Sequence, residues 1–123
     1  MFDDQQPIYR QIADQIRQDI LGGRLEEEEQ VMSTNQYAAF YRINPATAQK
    51  AFQNLVDDGV LYKKRGIGMF VQAGARAKLQ EEHRASFFGQ RLDPILTEAR
   101  VIGISAADLI AYISLKQGKD SGQ

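Results

Sequence analysis

The chain has 123 residues, no cysteine and a formal net charge of −1. This length fits one domain, or one small domain with an appendage, and the lack of cysteine excludes disulfides and thiolate-metal sites. The sequence has no apolar run of the roughly 20 residues that span a bilayer, and its start lacks the basic and apolar regions of a secretion signal. We therefore expect a soluble, cytoplasmic protein.

The first helix is predicted from Pro7 to Leu21. Isoleucine recurs every four residues along it, which is the spacing of one apolar helix face, and Gly22-Gly23 ends it. The four glutamates at 26–29 then indicate a solvated loop, because consecutive carboxylates in a loop specify no metal-binding geometry. The apolar stripe of the helix consists of Ile8, Ile12, Ile16 and Ile20.

A capping box begins the second helix. Ser33 is the predicted N-cap, and Gln36, three residues later, can reach back to the backbone at the cap. The helix should run over residues 34–41, and residues 42–44 should form a turn. The candidates for packing on the next helix are Ala38, Phe40 and Tyr41.

The third helix has signals at both ends. Asn44 is a suitable N-cap, Pro45 suits the first helical position, and Gly59 supplies a left-handed stop. A short helix, a three-residue turn and a second helix have the spacing of a helix-turn-helix motif. At 100° per residue the apolar face holds Ala48, Ala51, Phe52, Leu55 and Val56. The opposite, polar face holds Ala46, Thr47, Lys50, Gln53 and Asn54, with Gln49 at its edge.

A basic hairpin follows the third helix. Residues 60–63 and 69–72 have the pattern of two short strands, joined by a turn at 65–68. Residues 33–73 hold five basic side chains against two acidic ones, whereas residues 1–32 hold three against eight. Positive charge concentrated beside a helix-turn-helix predicts a winged helix that contacts nucleic-acid phosphates. The basic residues near the tip of the hairpin are Lys63, Lys64 and Arg65.

The remainder of the chain is predicted to form short helices. One runs from Ala75 to about Phe88, Asp93 caps a second that ends near Gly103, and Ser105 caps a third. These helices carry more apolar side chains than they can bury by themselves, so we expect a symmetric dimer. The candidate dimerisation residues are Leu79, Phe87, Phe88, Leu92, Ile95, Leu96, Ile102, Leu109, Ile110 and Ile113.

The predicted fold class is α+β and mostly helical. Residues 1–73 are expected to form a winged helix-turn-helix domain, 74–117 a helical dimerisation domain, and 118–123 a disordered tail. The residues that catalysis needs are missing: the single histidine, His83, lies in a charged helix, and the glycines of the hairpin turn lack the strand-then-helix context of a dinucleotide-binding loop. We therefore expect no enzyme activity, no cofactor and no bound metal.

Several motifs resemble those of the GntR family of bacterial transcription regulators, and of its YtrA-like subfamily in particular. Residues 7–13, Pro-Ile-Tyr-Arg-Gln-Ile-Ala, are similar to the opening of the family's first helix. The resemblance is closest at residues 44–50 and 55–61, and residues 63–71 resemble the family's Arg-Gly-x-Gly-x-Phe-Val wing motif. It covers nearly the whole chain and implies a dimeric operator-binding regulator, often of a transporter operon and often of its own gene. Asn35 stands where the family commonly has an arginine that contacts DNA.

These patterns together predict a sequence-specific transcription regulator that binds a palindromic operator as a homodimer. The resemblance favours a repressor, and the residues themselves leave repressor and activator open. Lysine suits guanine acceptors, glutamine suits adenine, and helix N-termini suit phosphate. The acidic run at 26–29 should face away from the duplex, because carboxylates repel phosphate. The alternative is a winged-helix module that binds only protein, and the sequence leaves open whether a small-molecule effector binds. The predicted DNA-binding residues are Ser33, Thr34, Asn35, Thr47, Gln49, Lys50, Lys64, Arg65 and Gly66.

Overall fold

The structure is a computed structural model that describes residues 5–121. The chain divides into two compact units, unit 1 up to Glu82 and unit 2 from His83. Among residues 5–121, no helix combines the length and apolar character needed to cross a bilayer. In chain order the elements are α1 (Ile8–Leu21), α2 (Thr34–Tyr41), α3 (Pro45–Asp57), β1 (Leu61–Lys64), β2 (Gly68–Val71), α4 (Ala75–Phe87), a π-helical turn (Phe88–Leu92), α5 (Asp93–Val101) and α6 (Ala106–Ser121). This mostly helical fold with one antiparallel sheet confirms the predicted α+β class.

The apolar faces of α1 and α3 form the centre of unit 1. Both helices follow the predicted periodicity, and each large side chain that they bury contributes about 1.5–3 kcal/mol. Two residues at the edges of these faces differ from the prediction: Ile8 is exposed and Val56 is half-buried. The buried residues of the two helices are Ile12, Ala13, Ile16, Ile20, Ala48, Ala51, Phe52 and Leu55.

The helix α2 packs through Ala38 and Tyr41 as predicted, but not through Phe40. Tyr37 and Ala38 are buried, and the Tyr37 ring meets the edge of Phe52 at 5.5 Å between centroids. Phe40 instead points outward and is 69% exposed. At 100° per residue, Phe40 lies 60° outside the arc from Tyr37 to Ala38, so the helix phase explains the difference.

Local capping sets the start of both helices of the motif. The Ser33 hydroxyl accepts from the Gln36 backbone N–H at 3.1 Å, and the Gln36 side chain accepts from the Ser33 N–H at 3.0 Å, which confirms the capping box. The Asn44 side chain accepts from the Ala46 N–H at 2.8 Å, with Pro45 in the first turn. Between the helices, Arg42 takes a left-handed conformation with φ of 55°. These caps place the two helices of the helix-turn-helix as the sequence predicts.

Each strand of the hairpin lies one residue nearer its tip than predicted. Lys64 pairs with Gly68, so the turn shortens to three residues. Val60, predicted as the first strand residue, instead completes the end of α3, because its N–H donates to the Leu55 carbonyl at 2.9 Å. Gly59 has φ of 74°, which confirms the predicted left-handed stop.

A third segment, residues 28–31, joins the hairpin. The Val31 N–H donates to Met69 and the Val71 N–H donates to Glu29, each at 2.9 Å, and Gln30 bridges Phe70 in antiparallel fashion. The predicted loop is therefore partly paired with β2. Glutamate is depleted in strands, so this segment carries no strand signal in the sequence.

The first half of α4 belongs to unit 1. Ala75 and Leu79 are each 1% exposed and are part of the core cluster of this unit. Leu79 is therefore a core residue of unit 1 and not a dimerisation residue as predicted. Unit 1 also extends to Glu82, past the predicted boundary at residue 73. The small residues at 73–75 are typical of a hinge, which is why the sequence predicts a domain boundary there. A helix that follows a hinge can nevertheless pack against the domain before it, as α4 does.

Unit 2 is helical throughout most of its length. The sequence predicts that the helix is interrupted at Gly89 and Pro94, but it is not. The chain passes from α4 through the π-helical turn into α5, and the Asp93 N–H donates to the Phe88 carbonyl. The wider turn lets the helix continue close to a proline that lacks a backbone N–H. Ser105 and Asp108 cap α6 reciprocally, at 3.1 and 3.3 Å.

The end of the chain also differs from the prediction. The helix α6 extends to Ser121, so residues 118–121 are helical and not a disordered tail, since the cost of one glycine in a helix is only about 1 kcal/mol. Residues 122 and 123 lie outside the described residues, as do residues 1–4.

Candidate nucleic-acid interface

The N-terminal ends of α2 and α3 open onto one groove beside the hairpin. Gln49, predicted at the edge of the polar face of α3, is exposed and lines this groove together with Asn35 and Lys63. Both helices present the positive ends of their dipoles here, which favours an anion such as phosphate. The groove is lined by Ser33, Thr34, Asn35, Pro45, Gln49, Lys63, Gly68 and Met69.

Strand alternation separates the two lysines of the hairpin. Side chains of successive strand residues point to opposite faces, so Lys63 shares a face with Leu61, and Lys64 shares one with Tyr62. Lys63 lies in the groove, whereas the Lys64 ammonium lies 4.5 Å from the Phe70 ring centroid on the other face. The predicted DNA-binding residues include Lys64 and omit Lys63. The sequence does carry a signal for Lys63, because side chains alternate along a strand and Lys63 is two residues after the apolar Leu61.

The other face of the hairpin carries one carboxylate of the acidic run. The Tyr62 hydroxyl donates to Glu28 at 2.7 Å, and the Tyr62 ring stacks on Phe70 at 5.8 Å between centroids. This hydrogen bond to Glu28, with burial second, raises the pKa of the Tyr62 hydroxyl. Glu28 therefore lies on the opposite side of the hairpin from Lys63.

The tip of the hairpin is exposed and is braced from the third segment. Arg65 and Gly66 are both exposed, and Gly66 has φ of 79°, which glycine adopts without strain. The Gln30 side chain donates to the Ile67 carbonyl at 3.1 Å, and a Cβ at Gly68 would lie 2.6 Å from the Gln30 amide nitrogen. Gln30 thus fixes the tip from behind, a contact between residues distant in the sequence that no local pattern indicates.

On its other side, the polar face of α3 adjoins α1. The Lys50 ammonium lies 4.2 Å from the centroid of the Tyr9 ring, and Arg10 donates to the Tyr9 hydroxyl at 3.2 Å. This hydrogen bond lowers the pKa of Tyr9, and the charge of Lys50 acts in the same direction. Lys50 is exposed and Thr47 half-buried, so α3 presents Lys50 on the α1 side and Gln49 on the hairpin side.

The candidate dimerisation residues of unit 2 remain accessible to a partner. Among the residues that the structure describes in unit 2, Ala99 alone is buried, and Leu92 and Leu109 are half-buried. No group of three or more histidine, cysteine or acidic side chains within residues 5–121 could hold a metal ion. The exposed candidates are Phe87, Phe88, Ile95, Leu96, Ile102, Ile110 and Ile113.

Comparison with known proteins identifies the class of this winged helix. The sequence model of bacterial regulatory proteins of the gntR family matches residues 8–71. The chain is 38% identical over 65 residues to the transcriptional repressor NagR of Bacillus subtilis, covering 53% of this chain and 27% of NagR. It is 26% identical over 107 residues to the repressor YtrA of Bacillus subtilis, covering 87% of this chain and 82% of YtrA.

Solved structures agree with the sequence comparison. A GntR-family regulator from Bacteroides thetaiotaomicron is 33% identical, with a TM-score of 0.68, covering 91% of this chain and 98% of that one. The DNA-binding domain of AraR in complex with operator ORX1 matches with 26% identity and a TM-score of 0.54, over 58% of this chain and 92% of that one. The chain is thus a DNA-binding transcription regulator and not an enzyme, and it belongs to the GntR family and to its YtrA-like subfamily.

Proposed function

We propose that this protein is a cytoplasmic, homodimeric repressor that binds a palindromic operator. The observation that carries the proposal is the groove in which Lys63 meets the N-termini of α2 and α3. Two helix N-termini and a lysine together can bind a phosphate of the DNA backbone. This contact would fix the position of the protein on the duplex, with the start of α3 against base edges in the major groove.

Each residue of the interface then has a distinct task. Ser33, Thr34 and Asn35 would bind phosphate at the start of α2, with Lys63 beside them. On α3, Gln49 suits the edge of adenine and Lys50 the acceptors of guanine. Thr47 would pack beside the same bases, while Arg65 and Gly66 at the exposed tip would reach the minor groove. Lys64 would add a general positive charge from the far face of the hairpin.

The dimer would form through unit 2. Its exposed apolar side chains lie between the end of α4 and α6. A symmetric contact would remove them from water, which stabilises the dimer by about 25 cal/mol per Å² of apolar surface buried. Such a dimer sets two recognition helices about 34–36 Å apart, or a multiple of that distance, to match a palindrome. The targets that the family resemblance implies, a transporter operon and the protein's own gene, are part of the proposal.

The test begins from a duplex selected by the purified protein from a random-sequence library. We expect enrichment of a palindrome, and an affinity for it that falls steeply as salt increases, because bound lysines and arginines release counterions. Footprinting upstream of the protein's own gene should find the same motif. A selection that yields no common motif would instead favour the winged-helix module that binds only protein.

A further inference from the structure

An ion cluster joins the end of the recognition helix to α4. The carboxylate of Asp58, the C-cap residue just after α3, accepts from Arg17 of α1 at 3.3 Å and from the Lys78 ammonium at 3.1 Å. The same ammonium also donates to the Asp58 backbone carbonyl. One residue is therefore held by α1 on one side and by α4 on the other.

The cluster continues outward with charges of alternating sign. Arg17 also bonds Asp14 at 3.0 Å and the Asn54 side chain at 2.9 Å, and Lys78 lies 3.8 Å from Glu82. The side chains at its centre are partly buried, with 19% of Arg17 and 38% of Asp58 exposed. Connected, partly buried charges hold their geometry better than an isolated surface pair.

Two different contacts therefore fix α4 on unit 1. Ala75 and Leu79, one turn apart, are buried in the core and anchor one face of the helix. Apolar contacts have no direction, so alone they would allow the helix to roll or tilt. Lys78 adds a directional contact to the end of α3 beside that anchor.

We propose that Asp58, Lys78 and Arg17 are positioning residues that set the direction in which α4 leaves the DNA-binding unit, and through it the operator spacing that the dimer prefers. The inference rests on the proposed function, because it needs a dimer formed through unit 2. The helix α4 runs from Ala75 to Phe87 and so extends past the end of unit 1. None of the three residues needs to touch DNA in this role.

The experiment compares three DNA probes with the full-length protein. They are the palindrome selected by the wild type, its isolated half-site, and the palindrome with two base pairs inserted at the centre. The variants are Asp58→Asn and Lys78→Met, with Lys78→Arg as the conservative variant. Arg84→Met is the matched control, because it removes a positive charge from the same helix outside the cluster. A thermal melt confirms that each variant is folded.

In the wild type we expect at least a tenfold preference for the selected spacing over the expanded one. Asp58→Asn and Lys78→Met should reduce this preference to threefold or less while the half-site affinity stays within twofold. Lys78→Arg and Arg84→Met should keep the preference. A preference that survives in both variants overturns the inference, as does an equal loss on half-site and palindrome. If the wild type binds half-site and palindrome equally well, the homodimer proposal itself fails, and the positioning role fails with it.

Discussion

Units 1 and 2 differ in how completely they bury their own apolar side chains. Unit 1 has a continuous core that includes residues of α1, α2, α3, both strands and α4. The side chains of Ser33 and Asn44 cap the two helices of its helix-turn-helix, α2 and α3. In unit 2, large apolar residues are mostly exposed, and of its described residues only Ala99 is buried. Unit 1 therefore buries a core of its own, whereas the exposed apolar side chains of unit 2 support the proposal that it pairs with a second copy.

The largest expected effect concerns where unit 1 ends. A chain that stops after Gly74 lacks Leu79, Ala75 and the Lys78 contact, whereas a chain that stops after Glu82 keeps them. Deleting a buried leucine side chain alone costs about 2–5 kcal/mol, and 1 kcal/mol shifts the Tm of such a small domain by about 4–8 °C. We expect the 1–82 chain to melt at least 10 °C above the 1–74 chain.

Calorimetry of the two chains gives the comparison directly. Leu79→Ala in the full-length protein is a second measure, since it leaves the backbone intact. Equal melting temperatures for the two truncated chains would mean that α4 is not part of the core of unit 1.

The second effect concerns the partner of unit 2. Ile110 and Ile113 are 64% and 53% exposed on α6, one turn apart. Replacing both with glutamate should give a monomer in sedimentation, and affinity for the palindrome should fall to the half-site value, by about 10²–10⁴-fold. Lys116→Glu changes the net charge of the same helix by the same amount and should have little effect. A double variant that still sediments as a dimer would assign the dimer contact to another surface.

The third effect distinguishes the two faces of the hairpin. Lys63→Met should weaken binding to all duplexes and reduce the salt slope by about one charge, because Lys63 lies in the groove. Lys64→Met should change both quantities less, because its ammonium packs on Phe70. Fluorescence anisotropy at several salt concentrations measures both. The opposite ranking of the two lysines would mean that the other face of the hairpin contacts DNA.

The sequence predicts those parts of the fold that depend on local chemistry. Ser33 with Gln36, Asn44 with Pro45, and Gly59 each act within a few residues, so the helix boundaries of unit 1 could be predicted within one or two positions. The resemblance to the GntR family predicted a DNA-binding winged helix, and the family is now shown for residues 8–71.

What could not be predicted depends on contacts between distant residues. The Gln30 side chain donates a hydrogen bond to Ile67 at the tip of the hairpin, 37 residues away in the sequence. Leu79 of α4 packs in a core that also contains residues of α1. The lysine facing the groove depends on the strand register, and a shift of one residue reverses the face. The π-helical turn before Pro94 depends on a backbone adjustment for which the sequence has no simple signal.

The smallest expected effect tests the α1 side of the interface. Tyr9 is half-buried, and its ring supports the Lys50 ammonium at 4.2 Å in a cation–π contact, which is a weak attraction at a protein surface. Tyr9→Leu should therefore reduce the preference of the protein for its selected operator over random DNA by about two- to fivefold. Tyr9→Phe keeps the ring and should retain most of the preference, although it loses the hydrogen bond from Arg10. In a Lys50→Met background, Tyr9→Leu should have no further effect, because the two residues act through one contact. Competition binding with a random duplex measures the wild type, the two single variants and the double variant on one scale. Additive losses in the double variant would show that Tyr9 contributes to the interface independently of Lys50, for example through the packing of α1.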